Sequence, residues 1–205
     1  MLEAIIEFDK ELMLAINGCT NAFLDIFMPF ITHRYTGIPI YIGLLVLIIH
    51  KWKGDVKTIA VMISAVVLTF ALSDSLSVAL FKDTVQRLRP GWDPQMEQYV
   101  RMLEYKGGKY GFVSSHAANL FGLATITYLI LKKRWFTISI FSFAAVVGYS
   151  RVYVGKHYPL DVICGAIFGV AVSFIIYKLV LLLCMKLNLH PWDKSTTQEC
   201  SNQTL

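Results

Sequence analysis

KTIAVMISAVVLTFALSDSLSVALFK, residues 57–82, decides the class of fold. Between its terminal lysines lie 24 residues whose one charge is Asp74. A helix needs about 20 apolar residues to cross a hydrocarbon core, so this stretch is read as a membrane span. Residues 110–131 repeat the signal, with 22 positions free of Lys, Arg, Asp and Glu. Residues 35–50 (YTGIPIYIGLLVLIIH) and 135–150 (WFTISIFSFAAVVGYS) are 16 each, long enough if flanking side chains snorkel. A fifth run extends from Leu160 to Leu187, interrupted by Asp161 near its start and by Lys178 and Lys186 near its end.

The composition agrees. The chain of 205 residues is 56% hydrophobic and 16% charged, against roughly 45–50% apolar and about 25% charged in soluble domains. Disorder, collagen, coiled coil and a disulfide scaffold are excluded by the same figures. The formal net charge of +5 favours anionic partners. Its clusters are short and separated by apolar runs, which argues against nucleic acid. The four cysteines (Cys19, Cys164, Cys184, Cys200) have no CxxC spacing and are read as small hydrophobes.

The expected fold is all-α: a single domain over residues 1–205, a polytopic membrane bundle of five to six transmembrane helices with an N-terminal amphipathic segment. AIIEFDKELMLAI, residues 4–16, alternates acids with apolar residues at helical spacing, as an interfacial helix does. Residues 21–34 are either a partial sixth span or a second interfacial segment. The tail, residues 192–205, is polar and expected to be disordered. Lys51, Lys53 and Lys57 fall on the same side as Lys132, Lys133 and Arg134, and that side is read as cytoplasmic. His33, His50 and His190 read as boundary residues.

The opposite face collects three segments: KDTVQRLRP (82–90), VSSHA (113–117) and SRVYVGKHYPLD (150–161). Lys82, Arg89 and Arg151 are fixed cations, and arginine's planar fork matches phosphate oxygens. Ser114 precedes a helical run whose free N–H groups favour an anion. Asp161 stands four residues after His157, the spacing that sets a carboxylate beneath an imidazole. That leaves the other ring nitrogen as a nucleophilic lone pair, and His116 is placed to protonate a departing oxygen. Asp74 is read either as a partner of the basic cluster or as a carboxyl bonded to Ser73, Ser75 or Ser77. Trp92, Tyr110, Tyr153 and Tyr158 suit lipid headgroup contacts or an aromatic belt.

Lys82-x6-Arg89-Pro90, Ser114-x-His116 and Arg151-x5-His157-x3-Asp161 together resemble the three-part signature of the type 2 phosphatidic acid phosphatase (PAP2) superfamily. The resemblance covers about residues 58–180. It implies metal-independent hydrolysis of a phosphomonoester or pyrophosphate on a membrane lipid, without a cofactor, through a phosphohistidine on His157. Asp161 would orient that histidine, His116 would act as acid and then base, and Lys82, Arg89, Ser114 and Arg151 would bind the phosphoryl group. The second motif usually reads Pro-Ser-Gly-His; Ser115 stands at its glycine and brings a further hydroxyl, which makes it one more phosphate-binding candidate. Small size and short loops resemble bacterial inner-membrane members of the phosphatidylglycerophosphate phosphatase B or undecaprenyl pyrophosphate phosphatase type, with the site facing the periplasm. Undecaprenyl pyrophosphate is the first expected substrate, then phosphatidylglycerol phosphate, phosphatidic acid and lipid A phosphates. A phosphoryl transferase and a non-enzymatic lipid transporter or scramblase are the alternatives.

Overall fold

A computed structural model describes residues 1–33 and 35–192; the expected disordered tail lies, apart from Trp192, outside the described residues. Among these, the helices are α1 (Leu2–Asn17), α2 (Ala22–Thr32), α3 (Ile38–Lys51), α4 (Val56–Ser77), the single-turn α5 (Asp83–Val85), α6 (Ser115–Leu131), α7 (Arg134–Tyr153) and α8 (Pro159–Lys186). A π-helical segment, Val78–Lys82, joins α4 to α5 into one apolar run, Val56–Val85.

Local chemistry sets the starts. Asn21 caps α2 by accepting from the N–H groups of Phe23 and Leu24, Asp55 caps α4 at Thr58, and Ser114 caps α6 at Ala117. Pro159 opens α8 at a position where its missing N–H is not needed.

α6 is the axis of the bundle. Its Leu123, Ala124, Ile126 and Ile130 are buried among Leu44 and Ile48 of α3, Met62 and Ala65 of α4, Ile140 of α7, and Val172 and Ile176 of α8. It approaches α8 through small residues: a Cβ built at Gly169 would stand 2.0 Å from the carbonyl oxygen of Ala118. Such contact lets two backbones pack in a setting where lipid tails compete for apolar surface. Gly169→Ala forces α6 and α8 apart and is expected to cost about 3 kcal/mol. Thermal unfolding in detergent checks this against Gly108→Ala, whose Cβ meets nothing within 4 Å.

Helices stand at all five stretches read as spans, but the count of five to six is not reproduced. By length and composition three helices can cross a membrane: Val56–Val85, Arg134–Tyr153 and Pro159–Lys186. The helical pair Glu3–Asn17 and Ala22–Thr32 makes a fourth only as a broken span, bent by 114°. α3 and α6, with 14 and 17 residues, are shorter apolar helices. At 1.5 Å per residue α3 reaches about 21 Å, short of the ~30 Å core. α6 is buried on nearly every face, so its neighbours rather than its length shield it from lipid.

Residues 1–34 do more than lie on a surface. Asp9 of α1 is buried. Asn17 is clamped into the chain, donating to the carbonyls of Arg101 (2.8 Å) and Tyr153 (2.7 Å). Asp25 of α2 pairs with Arg101 at 2.7 Å and accepts from the Tyr153 hydroxyl at 2.6 Å. The amphipathic pattern identified the helix, and the acids it assigned to water include one that faces the protein.

The ends of the bundle differ. At one, Lys51 donates to the C-terminal carbonyls of α6, Ile130 (2.9 Å) and Leu131 (3.1 Å), and Trp192 donates to the same Ile130 carbonyl at 3.3 Å. The other end holds the three motifs.

Candidate active site

Two loops form a clamp over the site end. Arg89 N–H donates to the Lys109 carbonyl (3.0 Å) and Gly111 N–H to that of Arg87 (2.8 Å). The pairing brings the first motif alongside the residues that lead into the second. Ser114 N–H donates to the Asp161 carbonyl at 2.9 Å, which joins the start of α6 to the start of α8. Segments far apart in sequence are therefore held by backbone hydrogen bonds.

At the centre lie His157 and Asp161, both buried, with Nδ1 of the imidazole 3.4 Å from Oδ2 of the carboxylate. The same oxygen accepts from Tyr158 N–H at 3.1 Å. Burial, reinforced by the charges of Arg89, Arg151 and Lys82, pushes the His157 pKa well below the ordinary histidine value. This favours the uncharged ring, and an uncharged imidazole whose one nitrogen faces a carboxylate offers a lone pair on the other.

Beside it opens a cleft of about 510 Å³ lined in part by Asp74, Lys82, Arg89, Ser115, His116 and Asn119. His116 is exposed to this space and lies within electrostatic reach of Arg151, His157, Lys82 and Arg89. Lys82 Nζ donates to Ser115 Oγ at 2.6 Å, and that hydroxyl lies 2.7 Å from Ser77 Oγ. The side chain standing where the family has glycine thus seats the motif's lysine. Ser114 has a different place: its hydroxyl accepts from Ala117 N–H at 3.4 Å and is fully buried as the helix cap. Arg151 is buried as well, donates to Thr32 Oγ1 at 2.6 Å, and keeps an Nε–H without a protein partner.

Asp74 lines the cleft. Its carboxylate accepts from Asn119 Nδ2 at 3.0 Å, and the neighbouring Ser77 hydroxyl bonds its backbone carbonyl instead. Tyr153 and Tyr158 are removed from headgroup contact: both are fully buried, their hydroxyls held by Asp25 (2.6 Å) and Asp93 (3.0 Å). His33, read as a boundary residue, lines the cleft with Thr32.

Sequence reasoning passed over Arg87. Its Nη1 donates to Asp161 Oδ1 at 2.8 Å and its Nη2 to Asp9 Oδ2 at 2.6 Å, while Asp9 Oδ1 accepts from Leu160 N–H at 2.9 Å. One guanidinium therefore joins α1 to the His157–Asp161 pair. The signal was a third cation, two residues before Arg89, in a short motif, but nothing in the spacing named its partners.

A second, apolar groove of about 400 Å³ runs between α3 and α4, lined by Leu44, Leu45, Ile48, Ile63 and Val66. Tyr41 and Phe70 line both spaces. A polar, cationic cleft and an apolar groove thus meet at two aromatic side chains.

The PAP2 superfamily profile matches residues 56–183. A lipid A 4'-phosphatase of Porphyromonas gingivalis is 35% identical over 181 residues, covering 88% of this chain and 76% of that protein. An undecaprenyl-diphosphatase of Sulfolobus acidocaldarius is 31% identical, over 84% of this chain and 79% of its own. Among solved structures, a transmembrane PAP2-type phosphatidylglycerolphosphate phosphatase of Bacillus subtilis superposes with a TM-score of 0.67 over 86% of each chain, at 21% identity. That last likeness is one of fold.

Proposed function

The chain belongs to the PAP2 superfamily, and on that premise we propose that it hydrolyses the phosphomonoester of a lipid A-type glycolipid through a phosphohistidine on His157. The supporting observation is the buried His157, backed by Asp161, beside a cleft with Lys82, Arg89 and the exposed His116. In the proposed sequence the free ring nitrogen of His157 attacks phosphorus. The bond from phosphorus to the lipid oxygen breaks, and that oxygen leaves with its electron pair and takes a proton from His116, whose imidazolium form the bound phosphoryl dianion stabilises against the flanking cations. Water then gives a proton to His116 while its oxygen attacks phosphorus; the P–N bond breaks, and inorganic phosphate departs. Lys82, Arg89 and Arg151 stabilise the charge on the transferring group, and the α6 and α8 N-termini, which Ser114 caps and Pro159 opens, add their positive ends. No step calls for a metal or cofactor.

The acyl chains lie along the apolar groove between α3 and α4, and the phosphate enters the cleft past Tyr41 and Phe70. The site faces the outer side of the cytoplasmic membrane, since the cluster of Lys51, Lys132 and Lys133 occupies the other end. The lipid A 4'-phosphatase likeness, over 88% of this chain, favours the glycolipid. The second reading, a polyprenyl diphosphate such as undecaprenyl pyrophosphate, draws on the Sulfolobus relative.

Phosphate release is to be measured on the protein in nanodiscs with lipid A, undecaprenyl pyrophosphate, phosphatidylglycerol phosphate and phosphatidic acid, each with EDTA. The expected result is a kcat/KM for lipid A at least about tenfold above the others, about 1.4 kcal/mol of discrimination, unchanged by EDTA. A preference for undecaprenyl pyrophosphate selects the second reading. Absence of release from all four, or its loss in EDTA, overturns the proposed chemistry.

A further inference from the structure

Lys156 precedes His157 and points inward, its side chain 10% exposed. A buried ammonium requires an anionic partner. The partner is Glu104, whose Oε2 lies 3.4 Å from Lys156 Nζ and 3.5 Å from Arg151 Nη1. One carboxylate oxygen therefore bridges two cations, as a phosphate oxygen would.

The arc continues to the cleft. Gly107 has φ +73°, and a Cβ there would stand 2.7 Å from Arg89 Nη1 and 3.5 Å from Lys156 Nζ. The heads of both cations lie against this glycine, which has no side chain to part them. Arg89, Lys156 and Arg151 thus form one cationic wall, with Arg89 on the cleft and Arg151 deepest. Arg151 also carries the unpartnered Nε–H.

Glu104 is suited to leave. It sits in a stretch without regular secondary structure, 23% exposed, and the Leu103 N–H reaches the Val154 carbonyl only at 3.4 Å. Its ion-pair distances exceed the roughly 2.7–2.9 Å of tight charge-assisted hydrogen bonds. A phosphoryl group brings more charge and three acceptor oxygens to the same cations. Lys82, Arg89, Ser115 and His116 already face the cleft, whereas Arg151 and His157 are buried. Arg151, which Glu104 now shares with Lys156, acts electrostatically on His157, so a phosphoryl group that reaches His157 comes within the field of a cation that Glu104 now holds.

We propose that Lys156 is a further phosphate-binding residue of this site and that Glu104 is its resident counter-anion, displaced by the phosphoryl group of the substrate. The inference rests on the phosphatase reading above and adds a binding residue and an internal competitor to it.

The test uses the full chain in detergent or nanodiscs, with inorganic phosphate and orthovanadate as probes. Their binding is read by thermal shift, which needs no turnover, and by inhibition of lipid dephosphorylation. Glu104→Gln is expected to tighten both anions about tenfold, and Lys156→Met to weaken them about tenfold. For Lys156→Met most of the loss falls on KM rather than kcat, and Lys156→Arg restores it. Should Lys156→Met not fold, Glu104→Gln and Glu104→Ala decide the matter.

Weaker or unchanged anion binding in both Glu104 variants overturns the proposal, because Glu104 would then orient the cations rather than compete for them. Unchanged binding in a folded Lys156→Met overturns it equally. Anion binding that responds as expected in a protein that releases phosphate from no lipid refutes the phosphatase reading and leaves the anion site standing. Lipid turnover with anion binding indifferent to all these variants refutes the anion site alone.

Discussion

His157→Ala is expected to lower the rate of phosphate release by about 10³-fold or more, toward background, while the protein still folds and still binds orthovanadate. The separation follows from where the groups sit. Lys82 is seated on Ser115, Arg89 on the Tyr110 carbonyl and Arg151 on Thr32, so none of the three cations depends on the imidazole. Removing the ring deletes the attacking nitrogen and leaves the anion cradle. It also leaves a small cavity beside Asp161, whose carboxylate keeps Tyr158 N–H and Arg87. Phosphate release from the preferred lipid, followed alongside the thermal shift with orthovanadate, checks both halves. Turnover within tenfold of wild type would remove His157 as the nucleophile. Loss of vanadate binding together with turnover would mean that the ring serves the cradle instead.

The sequence made the candidate site residues legible because the chemistry proposed for them is tied to short spacings. His157 and Asp161 share one helix start, and Ser114 and His116 share another. Lys82 and Arg89 bracket a single turn and loop. What it hid were partners that meet only through packing. Asp9 reads as one more acid on a solvated face of α1, yet it closes on Leu160, which is 151 positions away. Asp74 could be seen to need a partner, but Asn119 comes from another helix. Lys156 was masked by the histidine beside it, and Glu104 by an irregular, highly charged loop.

The difference between the expected span count and the helix lengths has a related reason. A hydropathy reading assumes each apolar stretch faces lipid by itself, so 22 uncharged residues between Lys109 and Lys132 read as a full crossing. The helix there has 17 residues and is sheltered by α4, α7 and α8. Helices that do face outward carry exposed apolar rows, such as Val67 and Leu68 on α4 and Ile167, Phe174 and Leu182 on α8. The acids on α1 read as an interfacial face, and the pattern could not show its further purpose: it delivers a buried carboxylate to the site end.

That carboxylate gives Arg87→Met the largest expected effect on stability. Asp9 and Asp161 are 2% and 0% exposed, and Arg87 donates to both. Methionine fills much of the volume and removes the charge, leaving two buried carboxylates near each other without the guanidinium that bridges them. Breaking one buried pair in this way costs about 3–5 kcal/mol, so unfolding is expected at least about 6 °C lower, at 2 °C per kcal/mol for a chain of this size. Turnover falls too, since Asp161 loses a donor that fixes its orientation beneath His157. A second substitution separates the two losses. Asp9→Asn in the Arg87→Met background neutralises one stranded carboxyl and keeps an oxygen for Leu160 N–H, so part of the thermal stability returns. Asp161 still lacks the Arg87 donor, so kcat does not. Differential scanning of both variants beside their phosphate-release rates reads the outcome: stability and rate recovering together would make Arg87 a strut for α1 alone. Recovery of stability without rate assigns it the positioning of the His157–Asp161 pair.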